Sequence, residues 1–265
     1  MPAVNPVRLR FQSEGLMAFF HSPSEFHSRL NSLFDLYANH ALRFGEESGV
    51  KPVLPMYHLP QPVLRQLKSD LNSHIQKFPE AALSLADELW DDNYYEVKQL
   101  ATHILGDIPI DTPDAIINRL NEWVKPGLDS KLVSDLFSIG IMKLQEHYPE
   151  FWEGYIKSLL VQESPEKLAL GIKGLREGLK NPKFNNLPTI FRLLSPILQS
   201  PSPSIVKELE KLIRALIEES PTETSFYIKQ LLAINESQKT KRLIKQCLPA
   251  FPPAHRDEIK SMLDQ

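Results

Sequence analysis

Apolar residues recur along most of the chain at intervals of three and four. Examples are the series Leu30, Leu33, Phe34 and Tyr37 and the series Leu209, Leu212, Ile213 and Leu216. This spacing places the side chains on one face of an α-helix, whereas a half-buried strand would alternate apolar and polar residues. No segment alternates for long enough to indicate a strand. The pattern therefore predicts an all-α protein.

Proline marks the start of most of these periodic runs. It is abundant (22 residues) while glycine is scarce (10 residues), and its fixed φ and missing N–H suit the first helical turn. In two runs, Ser22 with Glu25 and Ser220 with Glu223, the spacing also predicts a capping box. These proline-containing helix starts, or openers, divide the chain into some twelve or thirteen helices of about 10 to 18 residues with short links. They read SPSEF, FPEAA, TPDAI, YPEFW, SPEKL, SPSIV, SPTET and FPPAH.

Short links make consecutive helices antiparallel neighbours, as in a bundle or in a stack of helical hairpins. A repeat of 34 residues favours the stack, because stacked helices share a core side and an exposed side. The three columns with this spacing are Lys173, Lys207 and Lys241; Leu175, Leu209 and Leu243; and Leu179, Ile213 and Cys247. We predict an α-α superhelix (solenoid) of about six HEAT-like helical hairpins. Residues 1–60 would form an N-terminal helical cap and proline-rich loop, and residues 61–265 the solenoid.

One junction between helices carries an unusual amount of ring surface. It lies in LADELWDDNYYEVKQLATHILGDI, residues 85–108, and includes Trp90, Tyr94 and Tyr95. We predict one helix that ends near Trp90 and another that begins near Tyr94, with Asn93 or Asp92 as the N-cap. The rings are then expected to close the end of a core between repeats.

Composition excludes several classes of protein. A chain with 42% hydrophobic and 24% charged residues is typical of a globular domain. No apolar run approaches the roughly 20 residues of a membrane span, and the first residues lack the apolar core of a signal peptide, so we expect a cytoplasmic protein. The single cysteine, Cys247, permits no internal disulfide and is expected to pack in the core. Scattered histidines and the lack of a phosphate-binding glycine loop lead us to expect no metal and no cofactor.

The net charge of −3, from 30 basic and 33 acidic residues, is not typical of a nucleic-acid-binding protein. Its distribution is uneven. Residues 1–130 hold 11 basic and 17 acidic residues, a net charge of −6, and residues 131–265 hold 19 and 16, a net charge of +3. An anionic partner is therefore expected to contact the C-terminal half.

Basic residues follow one helical face in three successive segments of that half. Side chains spaced in this way are candidates for contacts with DNA phosphates. They are Lys173, Arg176 and Lys180, then Lys207, Lys211 and Arg214, then Lys241 and Lys245. Interleaved acids, Glu177, Glu208 and Glu210, leave a second interpretation open, in which the cations form ordinary ion pairs on a solvated face.

Three consecutive segments carry a family resemblance. They are LPQPVLRQLKSDL (59–71), ALSLADELWDDNYYEVKQLATHIL (82–105) and RLNEWVKPGLDSKLVSDLFS (119–138). In this order they resemble the AlkD-like family of DNA alkylation repair proteins, HEAT-like solenoids that include alkylpurine DNA glycosylases. The similarity covers roughly residues 55–140. The matching residues are Pro62, Arg65, Lys68, Leu89, Trp90, Tyr94, Tyr95, Glu96, Leu100, Ala101, Trp123 and Asp135.

The resemblance implies an active site in which two aromatic walls are missing. Catalytic members share a Trp-Asp-x-x-Asp phrase whose last aspartate stabilises positive charge near the sugar as the glycosidic bond breaks. The corresponding KLVSD keeps Asp135 but has Lys131 at the tryptophan position. A second phrase, an arginine after an aromatic residue, appears as EKLALGIK with neither. A third corresponds to KLIRALIEESP, which keeps Arg214 and Pro221 but has Lys211 in place of tryptophan.

A cationic alkylated purine gains about 0.5 to 2 kcal/mol from each aromatic face, and a lysine would repel it. The resemblance therefore implies a monomeric protein that binds double-stranded DNA through Lys131 and the basic columns, on the concave face of the solenoid. Asp135 is the catalytic candidate of an alkylpurine DNA glycosylase with a degenerate site. The alternative is a non-catalytic HEAT-repeat scaffold that binds another protein, favoured by the net charge and the missing tryptophans.

Overall fold

The computed structural model describes residues 4–38, 53–109, 111, 113–161, 164–184, 186–235 and 237–264. Within these ranges the chain forms fifteen α-helices and no strand. The all-α class predicted from periodicity is confirmed. The helix count exceeds the expected twelve or thirteen, in part because the region after Asp129 is divided into short pieces. None of the described helices has the length and apolar surface needed to cross a membrane.

The chain forms two compact units. Unit 1 comprises the described residues within Met1–Val124 and Leu128–His147, and unit 2 comprises those within Lys125–Gly127 and Tyr148–Gln265. Unit 1 contains α1 (Pro6–Met17), α2 (Pro23–Tyr37), α3 (Gln61–Lys77), α4 (Pro79–Trp90), α5 (Tyr95–Asp107), α6 (Pro113–Trp123), α7 (Ser130–Asp135), a π-helical turn (Leu136–Gly140) and α8 (Met142–His147). Unit 2 contains α9 (Pro149–Leu160), α10 (Pro165–Gly178), α11 (Leu187–Gln199), α12 (Val206–Glu219), α13 (Pro221–Ile234), α14 (Gln238–Cys247) and α15 (Pro253–Leu263).

Within each unit, helices pack on the next-but-one helix as well as on neighbours. In unit 1, α1, α3, α5 and α7 follow one another in one layer, while α2 packs on α4 in the other. In unit 2, α10, α12 and α14 form one layer and α9, α11, α13 and α15 the other. This two-layer succession is that of stacked helical hairpins. The boundary proposed at residue 60 stays a prediction; α1 and α2, which precede it, pack on α3 and α4 of unit 1.

The proline openers begin helices as expected, but their capping chemistry differs from the prediction. Proline occupies the first turn at Pro23, Pro149 and Pro221, among others. Ser22 and Ser220 are N-caps, yet neither side chain accepts a capping hydrogen bond, so the predicted capping boxes are wrong. Both residues donate their backbone N–H to the preceding segment, so this N–H is not available to the glutamate three residues later, as a capping box requires.

The 34-residue columns correspond to equivalent core positions in unit 2. Leu175, Leu209 and Leu243 lie on α10, α12 and α14 and are buried. Cys247 is fully buried as well, and burial raises the pKa of its thiol to about 12. The predicted packing role of this cysteine is confirmed.

The turn between α4 and α5 differs from its prediction by one or two residues. Tyr94, rather than Asn93 or Asp92, is the N-cap of α5. Asp92 instead accepts hydrogen bonds from the backbone N–H of Tyr94 (2.6 Å) and from His27 (2.6 Å) and Asn31 (3.2 Å) of α2. Burial opposes ionisation of Asp92, but these bonds outweigh it and lower the pKa of the carboxyl group. The turn is thereby fastened to α2.

Candidate functional site

Helix α7 carries both residues that the AlkD resemblance places in the active site. It begins where Asp129 supplies the N-cap, since the Asp129 side chain accepts hydrogen bonds from the backbone N–H of Lys131 (2.7 Å) and of Leu132 (3.2 Å). The same side chain accepts the backbone N–H of Val53 (2.5 Å). Asp129 therefore fixes the start of α7 and one end of the proline-rich loop together.

The end of α7 approaches α5 closely because a glycine makes room. The π-helical turn that continues α7 packs on α5 at Gly106, where a Cβ atom would overlap the carbonyl oxygen of Ile139. Asp135, the last residue of α7, lies next to Tyr95 at the start of α5. A small residue near the end of α5 thus permits its close approach to the π-helical turn.

The Asp135 carboxylate is buried and both of its oxygens are bound. Only 4% of the surface of Asp135 is exposed to solvent. The Tyr95 hydroxyl donates to Oδ2 (2.6 Å) and the Lys131 ammonium donates to Oδ1 (2.8 Å), while Gln99 Nε2 donates to the Tyr95 oxygen (3.1 Å). A carboxylate held in this way has a fixed orientation.

The surroundings of Asp135 change the acidity of two side chains: they keep the Tyr95 phenol neutral and make the Lys68 amine less basic. Burial, the negative charge of Asp135 and the hydrogen bond to it all raise the pKa of Tyr95 far above its ordinary range, so the phenol remains a hydrogen-bond donor. Burial lowers the pKa of Lys68 on α3, and the charge of Lys131 adds to this, while Asp135 and Asp107 act against it. Lys131 is thus the amine in direct contact with the carboxylate, while Lys68 senses its charge.

The aromatic residues of the α4–α5 junction support this site from the core. Trp90 stacks on Trp123 with ring centroids 4.4 Å apart and planes 6° from parallel, and Tyr94 stacks on Tyr57 at 4.1 Å. This confirms the prediction that the rings close a core. All three tryptophans of the chain are buried, with Trp152 in unit 2. No tryptophan face is therefore free to stack on an extruded base.

Glu96 ties the proline-rich loop to this junction. Its buried carboxylate accepts the backbone N–H groups of Tyr57 (3.1 Å) and His58 (2.8 Å). The backbone N–H of Tyr95 in turn donates to the carbonyl of Pro55 (3.0 Å). The described part of this loop, residues 53–60, is non-helical as expected, while residues 51 and 52 lie outside the described ranges.

A second polar group beside the site escaped the sequence analysis. His103 Nε2 lies 2.9 Å from the side-chain amide of Asn72 and 3.3 Å from Asp107, and Lys143 Nζ lies 3.4 Å from Asp107. Burial lowers the pKa of His103, against the opposing effect of Asp107. The available signal was the spacing of Tyr95, Gln99, His103 and Asp107, which at four-residue intervals share one face of α5. The described residues contain no cluster of His, Cys, Asp and Glu suited to a metal ion.

In unit 2, several of the predicted DNA-binding residues meet at one groove between α10 and α12. The groove has a volume of about 500 Å³. Its cationic lining consists of four residues of the predicted basic faces, Arg176, Lys180, Lys211 and Arg214. Two glutamates, Glu218 and Glu219, line it as well.

Glutamates neutralise most of the charge of this groove. Arg176 pairs with Glu177 (2.9 Å) and Glu208 (3.5 Å), and Lys211 pairs with Glu208 (2.6 Å). Arg214 pairs with Glu210 (2.8 Å) and donates to the carbonyl oxygen of Gln246 (3.0 Å). The ion pairs that the interleaved acids led us to expect are therefore present.

The other predicted cations of unit 2 differ in exposure. Lys173 on α10 is buried, and burial lowers the pKa of its amine. Lys207 on α12 and Lys245 on α14 are exposed and Lys241 on α14 is half-buried. Within the described ranges these three lysines form no ion pair, so they can take an anionic partner without giving up a carboxylate.

Comparison with known proteins gives one match. Residues 35–244 match the profile of the family described as DNA alkylation repair enzyme. The chain belongs to this family. No curated protein and no solved structure gave a significant match.

The DNA alkylation repair family match extends well beyond the segments 55–140 that carry the resemblance. It includes unit 2 as far as α14, and it contains every predicted site residue except Lys245. The structure brings Asp135 and Lys131 together in unit 1, and Arg176, Lys211 and Arg214 together in unit 2. The catalytic role of Asp135 and the DNA contacts of the cations stay predictions.

Proposed function

We propose that this member of the DNA alkylation repair family binds double-stranded DNA on the concave face of a HEAT-like solenoid, with a weak capacity to excise alkylated purines. The observation that carries this proposal is the Asp135 carboxylate, buried and held by Tyr95 and Lys131 at the position where the family resemblance implies a catalytic aspartate. Binding as a monomer and a location in the cytoplasm belong to the same proposal.

Asp135 would act by stabilising the positive charge that develops on the deoxyribose as the N-glycosidic bond lengthens. A preorganised negative charge in a buried site is most effective for this purpose. Lys131 opposes the effect, because its ammonium lies 2.8 Å from the same carboxylate. Together with the loss of tryptophan at residues 131 and 211, this pairing is the reason to expect slow excision.

The contacts to the DNA backbone would fall to the lysines without carboxylate partners. Lys207, Lys241 and Lys245 lie on two adjacent helices of one layer, α12 and α14. Each phosphate that a lysine neutralises releases counterions and makes the affinity depend on salt. Arg176, Lys211 and Arg214 would contribute only by exchanging a glutamate for a phosphate.

The glutamate pairs also support a second candidate, a scaffold that binds another protein. A basic surface whose arginines are already paired has a weak field for a polyanion. In that function the ion pairs would serve only to stabilise α10 and α12, and Asp135 would be a structural carboxylate.

The deciding experiment measures binding and chemistry in parallel. Fluorescent duplex DNA, plain and carrying 7-methylguanine, is titrated with the protein at two salt concentrations while release of 7-methylpurine is followed. Salt-sensitive binding with release that Asp135→Asn abolishes would support a glycosylase, and binding without release would support a degenerate DNA-binding protein. If no duplex binds at low salt, both DNA functions are wrong and the scaffold remains.

A further inference from the structure

The site contains a primary amine where its aspartate would otherwise act alone. Lys131 and Asp135 are four residues apart on α7, so their contact of 2.8 Å is set within one helical turn. The Lys131 side chain is 38% exposed while that of Asp135 is 5% exposed. The amine therefore lies toward the solvent side of the pair, with the carboxylate beneath it.

Other lysines near the junction are less suited to reach a ligand. The ammonium of Lys98 donates to the backbone carbonyl of Trp90 and lies over the Trp90 ring. Lys143 donates to the carbonyl oxygen of Asp107 (2.7 Å). Lys68 is half-buried, as Lys131 is, but in the described part of the chain its amine forms no ion pair with a carboxylate that could accept its proton. Lys131 is thus the amine that combines access with a fixed proton acceptor.

We propose that Lys131 forms a covalent imine with the C1′ aldehyde of an abasic deoxyribose in DNA, with Asp135 moving the protons. The inference rests on the proposed function in one respect, namely that the Asp135 site faces the deoxyribose of bound DNA. It adds an activity, the capture and cleavage of abasic DNA, that does not depend on a tryptophan wall. The substrate has already lost its base, so nothing needs to stack.

The step balances without any further reactant. Asp135 takes one proton from the Lys131 ammonium, the amine attacks C1′, and the carbonyl oxygen leaves as water with the proton that Asp135 returns and a second proton from the amine. The product is a protonated imine that keeps the single positive charge.

Strand cleavage would follow from the same pair. Asp135 removes a proton from C2′, the electrons move toward the iminium, and the C3′–O bond breaks with the pair leaving on the 3′-phosphate. Water then hydrolyses the imine and restores Lys131. Tyr95 serves as a positioning residue, because its hydroxyl occupies Oδ2 and leaves Oδ1 to the lysine.

The test uses the full chain and DNA that already contains an abasic site, made by excising uracil, so that no glycosylase activity is required. The complex is reduced with sodium borohydride, and the modified residue is located by tandem mass spectrometry. We expect a covalent adduct on Lys131. Lys131→Arg keeps the charge and the ion pair but cannot form an imine, so the adduct should be lost while binding of the abasic duplex persists.

Two further variants test the proton-transfer role of Asp135 and the background of adducts on exposed lysines. Asp135→Asn should slow strand cleavage about 100-fold, the usual scale for one general base. Lys157→Arg is the matched control, since Lys157 is an exposed lysine on α9 of unit 2, and its adduct yield should equal that of the wild-type protein.

The outcomes distinguish this inference from the proposed function. Abasic duplex that binds without forming an adduct, or an adduct on Lys68 or scattered over surface lysines, would overturn the role of Lys131 and leave DNA binding intact. Failure to bind plain or abasic duplex at low salt would overturn the proposed function and this inference with it.

Discussion

The Asp135 site of unit 1 and the basic surface of unit 2 are built in opposite ways. Beside its local pair with Lys131, Asp135 is held by a partner 40 residues away on another helix, Tyr95. The cations of α12 depend on glutamates three or four residues away on the same helix. Contacts between distant segments fix one arrangement of atoms, which chemistry requires. Local pairs are exchangeable, which is sufficient for a surface that contacts a regular polyanion.

The largest expected difference between the two regions concerns stability. Trp123→Ala removes one ring of the buried Trp90–Trp123 stack of unit 1 and should lower the free energy of unfolding by about 3 to 5 kcal/mol, as for other buried large-to-small changes. Trp123→Phe should cost less because it keeps a ring against Trp90. Urea unfolding measures both. If the alanine variant lost less than about 1 kcal/mol of unfolding free energy, as exposed positions do, the stack would not be a major source of stability in unit 1.

A smaller loss of stability is expected when the Tyr95 hydroxyl, which donates to the Asp135 carboxylate, is removed. Tyr95→Phe leaves a buried Asp135 oxygen without its donor and should cost about 1 to 3 kcal/mol. Tyr94→Phe is the matched control, because the Tyr94 hydroxyl makes no hydrogen bond within the described part of the chain and its ring would remain stacked on Tyr57. Equal urea midpoints for the two variants would contradict the special role of the Tyr95 contact.

The pH dependence should reveal the other carboxylate of the junction. The folded-state pKa of Asp92 lies below its ordinary value, so its stabilisation is fully present above the unfolded-state pKa of about 4 and is lost as the pH falls through the folded-state pKa. The difference in stability between wild type and Asp92→Asn should therefore shrink between pH 5 and pH 2. Denaturation at each pH measures this difference, and Asp91→Asn, at the exposed neighbouring position, is the matched control for removal of a carboxylate from the turn.

The smallest effect on stability belongs to unit 2. Arg214→Ala breaks a partly exposed pair with Glu210 and should cost no more than about 1 kcal/mol. A loss as large as that of Trp123→Ala would mean that the basic surface is structural, as the scaffold alternative requires. Urea unfolding of wild type and Arg214→Ala in low and high salt measures the contribution of this pair, which should fall with salt because surface ion pairs are screened.

The sequence predicted the regular parts of both regions better than their contacts. Leu175, Leu209 and Leu243 were identified as one core column because stacked helices repeat their spacing, and the glutamate pairs of α12 followed from intervals of three and four. The bond from Tyr95 to Asp135 could not be predicted, because it joins two helices whose residues are 40 positions apart in the sequence. Similarly, Asn93 or Asp92 was expected to cap α5, whereas the cap residue is Tyr94 and the Asp92 carboxylate bonds to it and to α2.

The proposal that unit 2 binds the DNA backbone while unit 1 carries the chemistry is tested most directly by the salt dependence of duplex binding. We would compare wild type, Asp135→Asn and the triple variant Lys207→Ala, Lys241→Ala, Lys245→Ala by fluorescence anisotropy. The triple variant should lose affinity at low salt and reduce the slope of log K against log salt by about 3, roughly one for each phosphate contact, while Asp135→Asn should keep the wild-type slope. This division of roles between the units would be contradicted if the triple variant bound DNA with the wild-type slope, or if the wild-type protein did not bind DNA.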